Sequence, residues 1–197
     1  MKKLLVFAVA VAALIGAHRK GVVIKVPEES GLIVMIDNDF RDDYVRQRKE
    51  NWCWAACVQM VMYYYGIYVS QGDIAERVYG YEADRMTSGK RMAEDLDGWR
   101  INGERIRAKL EMDHKKIPAY LIKGIPVIAG LKNPYGGASH AYVLNALVSE
   151  DEGEGYVPLS VRLVDPAIKG EPEDMEVRLE YDDFIKRLQS LIIITKE

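Results

Sequence analysis

The stretch Gln47 to Cys57, QRKENWCWAAC, holds the only two cysteines of the 197-residue chain, and Trp52 and Trp54 flank the first of them. Two cysteines this close could form a disulfide, share a metal ion, or include one thiolate that attacks an electrophilic carbon. The helical look of the segment argues against the disulfide. Side chains four apart on a helix have Cβ atoms about 5–6 Å apart, whereas a disulfide needs roughly 3.5–4.5 Å. Zinc fits no better, since C-x₃-C plus one spare histidine falls short of the usual four ligands. Two separate thiols are therefore expected. Cys53 is placed at the start of the helix, where free backbone N–H groups and the helix dipole favour an anion. Cys57 lies one turn further in, without that help, and reads as a small core residue.

A nucleophilic cysteine needs a base, and the chain has three histidines. His18 sits in a charged N-terminal stretch. His114, in EMDHKKIP, is flanked by charges and reads as surface. His140 opens an apolar strand candidate after the small residues YGGAS, which would leave its imidazole approachable. The base in turn needs an orienting group. If HAYVLNALV and YVPLSVRLVD form a hairpin about SEDEGEG, residues 149–155, a turn centred at 152.5 makes opposite partners sum to 305, and 140 plus 165 is 305. Asp165 would then face His140 on one side of the sheet. A slip of one residue would put them on opposite faces. Asn145, the rival orienter, would lie opposite Ser160, away from His140.

The elements that must hold these groups are legible in outline. CWAACVQMVMYYY, Cys53 to Tyr65, is apolar on almost every side, as a buried helix is, and Gly66 stops it. A second helix is expected from Ser70, its cap, to Val78, with Ile74, Ala75 and Val78 inward. Residues 79–102 read as mostly loop lining or covering a cleft. Helical spacing is read at Ile106 and Leu110, and again at Tyr120 and Leu121. VVIKV and LIVMI are strand candidates near the N-terminus. From Gly124 on, strands dominate, with DDFIKRLQ as a short helix capped by Asp182 and LIIIT as a last strand. Helices first and antiparallel strands afterwards make an α+β fold, a central buried helix packed against an antiparallel sheet.

Composition narrows the function. The 27 basic and 30 acidic residues give a net charge of −3, and no basic cluster with interleaved aromatics suggests a nucleic-acid partner. Lys2 and Lys3 precede an apolar run from Leu4 to Ala17, the pattern of a secretory signal peptide. That run is shorter than the ~20 residues a bilayer needs, so export with no stable membrane span after cleavage is expected, periplasmic or secreted, with an uncleaved N-terminal anchor as the alternative reading. Removing Lys2 and Lys3 leaves 25 basic against 30 acidic residues, a net charge of −5. The expected organisation is 1–17 signal peptide, 18–43 N-terminal extension and 44–197 catalytic domain.

Four blocks in order, QRKENWCWAA, GIYVSQGDIAERVYG, GGASHAYVL and VRLVDPA, resemble the bacterial papain-like cysteine proteases. Secreted papain-like effectors and, more distantly, bacteriocin-leader double-glycine peptidases are the members most alike. The resemblance covers roughly 44–170. It implies a papain-like fold, Cys53 as nucleophile, His140 as base, Asp165 as orienter and Gln47 as side-chain donor of the oxyanion hole. It also implies a peptide or protein substrate and no metal or organic cofactor. Other acyl transfers on the same triad, or a catalytically silent binding module, are the rival readings. Compared with plant-type papain members the chain is short, lacks their disulfides and has Asp rather than Asn as orienter. Substrate pockets and activation are where such departures would tell.

Overall fold

The computed structural model describes residues 21–26, 31–36, 40–151, 156–168 and 172–197. The signal-peptide reading of 1–17, and His18 beside it, lie outside these residues. The core is a helix, α1 (Cys53–Tyr64), with eleven of its twelve residues buried. Its sequence carries one strongly polar residue, Gln59, so no face is suited to water and the helix sits inside the domain. Gly66, at φ 75°, ends it as expected.

Helix α2 (Gln71–Tyr79) begins at Ser70, whose hydroxyl accepts the Asp73 N–H while the Asp73 carboxylate takes the Ser70 N–H. This reciprocal cap satisfies two orphan donors. Ile74, Ala75 and Val78 face inward. A third helix, α3 (Gly89–Leu96), lies within the stretch expected to be mostly loop. Ser88 caps it, and Met92, Ala93 and Leu96 form a narrow buried stripe among charges, too short to show as periodicity.

Among the described residues the sheet has nine strands: β1 (Gly21–Val26), β2 (Gly31–Ile36), β3 (Arg100–Ile101), β4 (Glu104–Glu111), β5 (Val127–Leu131), β6 (His140–Asp151), β7 (Tyr156–Val164), β8 (Glu176–Glu180) and β9 (Leu188–Lys196). Two short helices, α4 (Ile117–Ile122) and α5 (Tyr181–Arg187), complete the described residues. Ile106 and Leu110 suggest helical spacing, yet the segment is strand β4: ERIRAKLE alternates, with Ile106 and Ala108 buried between charged neighbours. Period two outweighs one coincidental i, i+4 pair. Asp182 does not cap α5, whose N-cap is Glu180.

Strand β6 organises the sheet. One edge pairs with β7; the other pairs first with β5 and then with β2. All these pairings are antiparallel, so the fold is α+β as expected, a buried helix against an antiparallel sheet. Among the described residues no helix is long and apolar enough to cross a membrane.

Candidate active site

Cys53 is the first residue of α1 and is 4% exposed. No side chain among the described residues caps the helix start, and the first intrahelical bond runs from Ala56 N–H to Trp52 C=O at 2.9 Å. The Cys53 N–H therefore has no intrahelical partner. Both cysteines are free thiols. Cys57 is fully buried, and burial, with Cys53 and Asp165 nearby, pushes its thiol well above the ordinary range.

The two tryptophans answer to one neighbour. The Trp52 indole N–H donates to Ala83 C=O at 2.8 Å and that of Trp54 to Arg85 C=O at 2.9 Å. Asn51 adds its own N–H to Asp84 Oδ1 at 3.0 Å. Residues 81–88, which join α2 to α3, are thus strapped across the head of the nucleophile helix. Trp54 packs under the site, as its apolar bulk suggests, but its polar edge also holds this wall. The sequence does not show which carbonyls two indoles will seek, so the strap was not foreseen.

His140 opens β6. Its Nε2 and Asp165 Oδ1 are 2.7 Å apart, and the Cys53 sulfur lies within interaction reach of its ring, the two side chains lining the same clefts. With Nε2 committed to Asp165, Nδ1 is the nitrogen left for sulfur. Burial alone would push the imidazole pKa down; the bonds to Asp165 and Cys53, and their charges, outweigh it and raise it from 6.5 to about 9. Asp165 is pinned in turn. Its N–H donates to Met175 C=O at 2.9 Å, its C=O accepts from Tyr44 at 3.0 Å, and Oδ1 also accepts the Ala167 N–H at 2.8 Å. The last contact is an Asx turn, available to a short acidic side chain before proline. Tyr142 meets the His140 ring edge-on at 4.7 Å.

Asn145, the rival orienter, occupies a bulge between Leu144 and Ala146, and Ser160 stands opposite Val148 instead. Gln47 lies on the turn that leads into Cys53. Its Nε2 donates to the carbonyls of Lys49 at 3.0 Å and Glu50 at 2.8 Å. Two facing carbonyl oxygens require nitrogen there, so both amide hydrogens are engaged, while Oε1 is buried with no partner among the described residues. Cys53, His140 and Asp165 are brought into one chain of contacts; Gln47 is brought near it but bonded elsewhere. His114 is remote from this group, its Nδ1 3.0 Å from the Tyr181 hydroxyl.

Two open clefts meet at Cys53 and His140. One, about 630 Å³, has an apolar wall of Trp54, Met86, Met92 and Ile128 and a floor where Gly89, Gly130 and Ser190 touch. The other, about 650 Å³, is more polar, with Asn133, Asp165 and Arg187. A chain laid through both would cross the sulfur. Among the described residues no cluster of three or more His, Cys, Asp or Glu is placed to hold a metal ion.

Comparison with known proteins agrees with the fold. The crystal structure of the peptidase domain of Streptococcus ComA, a bifunctional ABC transporter involved in quorum sensing, has a similar fold: TM-score 0.50 at 17% identity, over 77% of this chain and 95% of that one. No curated protein sequence matches significantly. The model of the Peptidase_C39-like family matches residues 42–186. With most of its length inside that match, and a papain-like arrangement of helix and sheet around Cys53, the chain belongs to the Peptidase_C39-like family of cysteine peptidases.

Proposed function

We propose that this cysteine peptidase works through Cys53 as nucleophile, His140 as general base and acid, and Asp165 as the group that orients the imidazole. The observation that carries the reading is the unbroken line from sulfur to imidazole to carboxylate at the start of a buried helix. His140 holds the proton that Cys53 has released, and Asp165 and the helix start favour the resulting ion pair. The thiolate attacks the carbonyl carbon of the scissile peptide, and a C–S bond forms as the carbonyl π pair moves to oxygen. Imidazolium then gives its proton to the amide nitrogen, the C–N bond breaks and the amine leaves. Water attacks the thioester, His140 takes its proton, and the acid departs with thiolate restored.

The oxyanion formed in each addition is held by the Cys53 N–H, which the helix leaves unpaired. Gln47 supplies the second donor in this reading, one amide hydrogen turning from the Lys49 or Glu50 carbonyl to the oxyanion. Export, with residues 1–17 as signal peptide, belongs to the same proposal and rests on the basic and apolar pattern of that segment. Digestion of a proteome-derived peptide library with wild type and Cys53→Ala tests the assignment. Cleavage by wild type alone is expected, and cleavage that survives in Cys53→Ala overturns it.

A further inference from the structure

We infer that Gln71 is a positioning residue for the reaction: its carboxamide grips the peptide groups on both sides of Gln47 and fixes where the oxyanion donor stands. The inference rests on the reading of Gln47 just given. Gln71 is the first residue of α2 and is fully buried, a costly place for an amide unless each polar atom is bonded. Each is. Oε1 accepts the Arg48 N–H at 2.9 Å, and Nε2 donates to Arg46 C=O at 2.9 Å and to Gln59 Oε1 at 3.1 Å. One acceptor and one donor offered to residues 46 and 48 are what a neighbouring strand would offer, so a single side chain does the work of a peptide unit.

The support behind it is the nucleophile helix itself. Gln59 lies on α1, and its own Nε2 is held by Val69 C=O at 2.7 Å and the Tyr63 hydroxyl at 2.8 Å. The chain of amides therefore runs from α1 through Gln59 and Gln71 to the backbone flanking Gln47. On its other side, the Gln47 N–H donates to Pro166 C=O at 2.9 Å, next to Asp165. Both oxyanion donors, the Cys53 N–H and Gln47, are in this way referred to one rigid helix. The glutamine also satisfies the buried Gln59 Oε1 and the two peptide groups, so an apolar side chain there would orphan them at a cost of about 1–3 kcal/mol for a buried group. What the glutamine adds is a fixed place for residue 47.

The test compares Gln71→Met, Gln47→Ala and the double variant in the full chain. The readouts are kcat and KM on a peptide cleaved by wild type, and the rate at which iodoacetamide alkylates Cys53, a reaction that forms no oxyanion. A misplacement of about 1 Å can cost on the order of 10²-fold, and a loss of that order in kcat is expected for Gln71→Met. KM and alkylation should stay within about twofold, and the double variant should be no slower than Gln47→Ala beyond the roughly twofold scatter of additivity. Full kcat in Gln71→Met beside an impaired Gln47→Ala overturns the clamp and leaves the donor role standing. Full kcat in Gln47→Ala overturns the donor role itself. Parallel losses of kcat and alkylation would mean general loosening and also overturn the clamp. Should Gln71→Met not fold, amide exchange on wild type decides: protection of the Arg48 N–H is expected, and exchange at the rate of an unstructured amide sinks the clamp.

Discussion

His140 and Asp165 are diagonal, not opposite, in the β6–β7 ladder. Val143 pairs with Val164 and Leu144 with Leu163, so the register carried one step outward from Val164 sets Asp165 across from Tyr142, and the carboxylate reaches back two residues to the imidazole at 2.7 Å. Diagonal neighbours of this kind share a face and lie within reach of long side chains.

The two sulfurs should separate cleanly. Cys53→Ala is expected to abolish peptide cleavage, while Cys57→Ala removes a small buried group and lowers stability by about 1 kcal/mol with cleavage retained. In wild type, a thiol alkylator at neutral pH should label Cys53 far faster than Cys57, whose thiol burial holds in its protonated form. Peptide mapping of the labelled protein checks this, and equal rates would count against it.

The protonated imidazole sets a pH window. His140 is raised from 6.5 to about 9 in the folded protein. Its contribution to stability is therefore complete below pH 6.5 and is lost as pH rises through about 9. Activity that needs the ion pair should fall over the same alkaline range. A pH series of melting temperature and of kcat/KM measures both; a profile flat through that range would contradict the pairing.

Asp165→Asn keeps an oxygen that can accept from His140 but removes the negative charge that helps outweigh burial at the imidazole. The alkaline fall in activity should then move to lower pH, with a loss in kcat on the order of 10²-fold or more, the scale of acid–base catalysis. An unchanged pH profile would show that the carboxylate does not tune the ring.

Phenylalanine at either tryptophan keeps one aromatic ring but removes the N–H together with the five-membered ring that carries it. Trp52→Phe leaves the C=O of buried Ala83 without its donor, costing about 1–3 kcal/mol for a buried acceptor, while Trp54→Phe does the same to the part-buried bond at exposed Arg85, at a lower cost for that bond. Because residues 86–88 continue the strap into the cleft wall, a rise in KM is expected with little change in alkylation of Cys53. Denaturant titration with steady-state kinetics gives both numbers.

The two glycines of the cleft floor should behave differently. A methyl on Gly89 would lie 2.6 Å from Ser190 Cβ and 2.9 Å from Ile192 Cδ1, atoms close to or within packed β9. Gly89→Ala should cost about 1–3 kcal/mol, as overpacking does. A methyl on Gly130 meets Ser190 Oγ at 2.6 Å, and that hydroxyl can rotate aside. Gly130→Ala should fold with near-normal stability. Thermal melts of the two variants decide.

The hairpin shows why some of this was legible in advance and some was not. Centring the turn at 152.5 gave partner sums of 305, whereas the observed pairs Val143–Val164 and Asp151–Tyr156 sum to 307. An error of two preserves the face, because side chains alternate with period two, and so the His–Asp contact survived the misplacement. Helix α1 was plain because its apolar surface is nearly complete. Strand β4 was mistaken because two apolar residues four apart fit either period, and α3 because only three residues bury. Tertiary hydrogen bonds were the least legible. Nothing local in GIYVSQGDIAERVYG tells that Gln71 turns toward residues 46 and 48, and nothing in NWCWAA names Ala83 and Arg85 as its partners.

The sulfur of α1 and the His–Asp pair of β6–β7 come from distant parts of the chain. During synthesis the ribosome delivers Cys53 long before Asp165, so a growing polypeptide carries an ordinary thiol with no held imidazole to take its proton. With the proposed triad, reactivity would be a late product of folding, and the unfinished chain would be shielded from its own chemistry by the order in which its pieces are made.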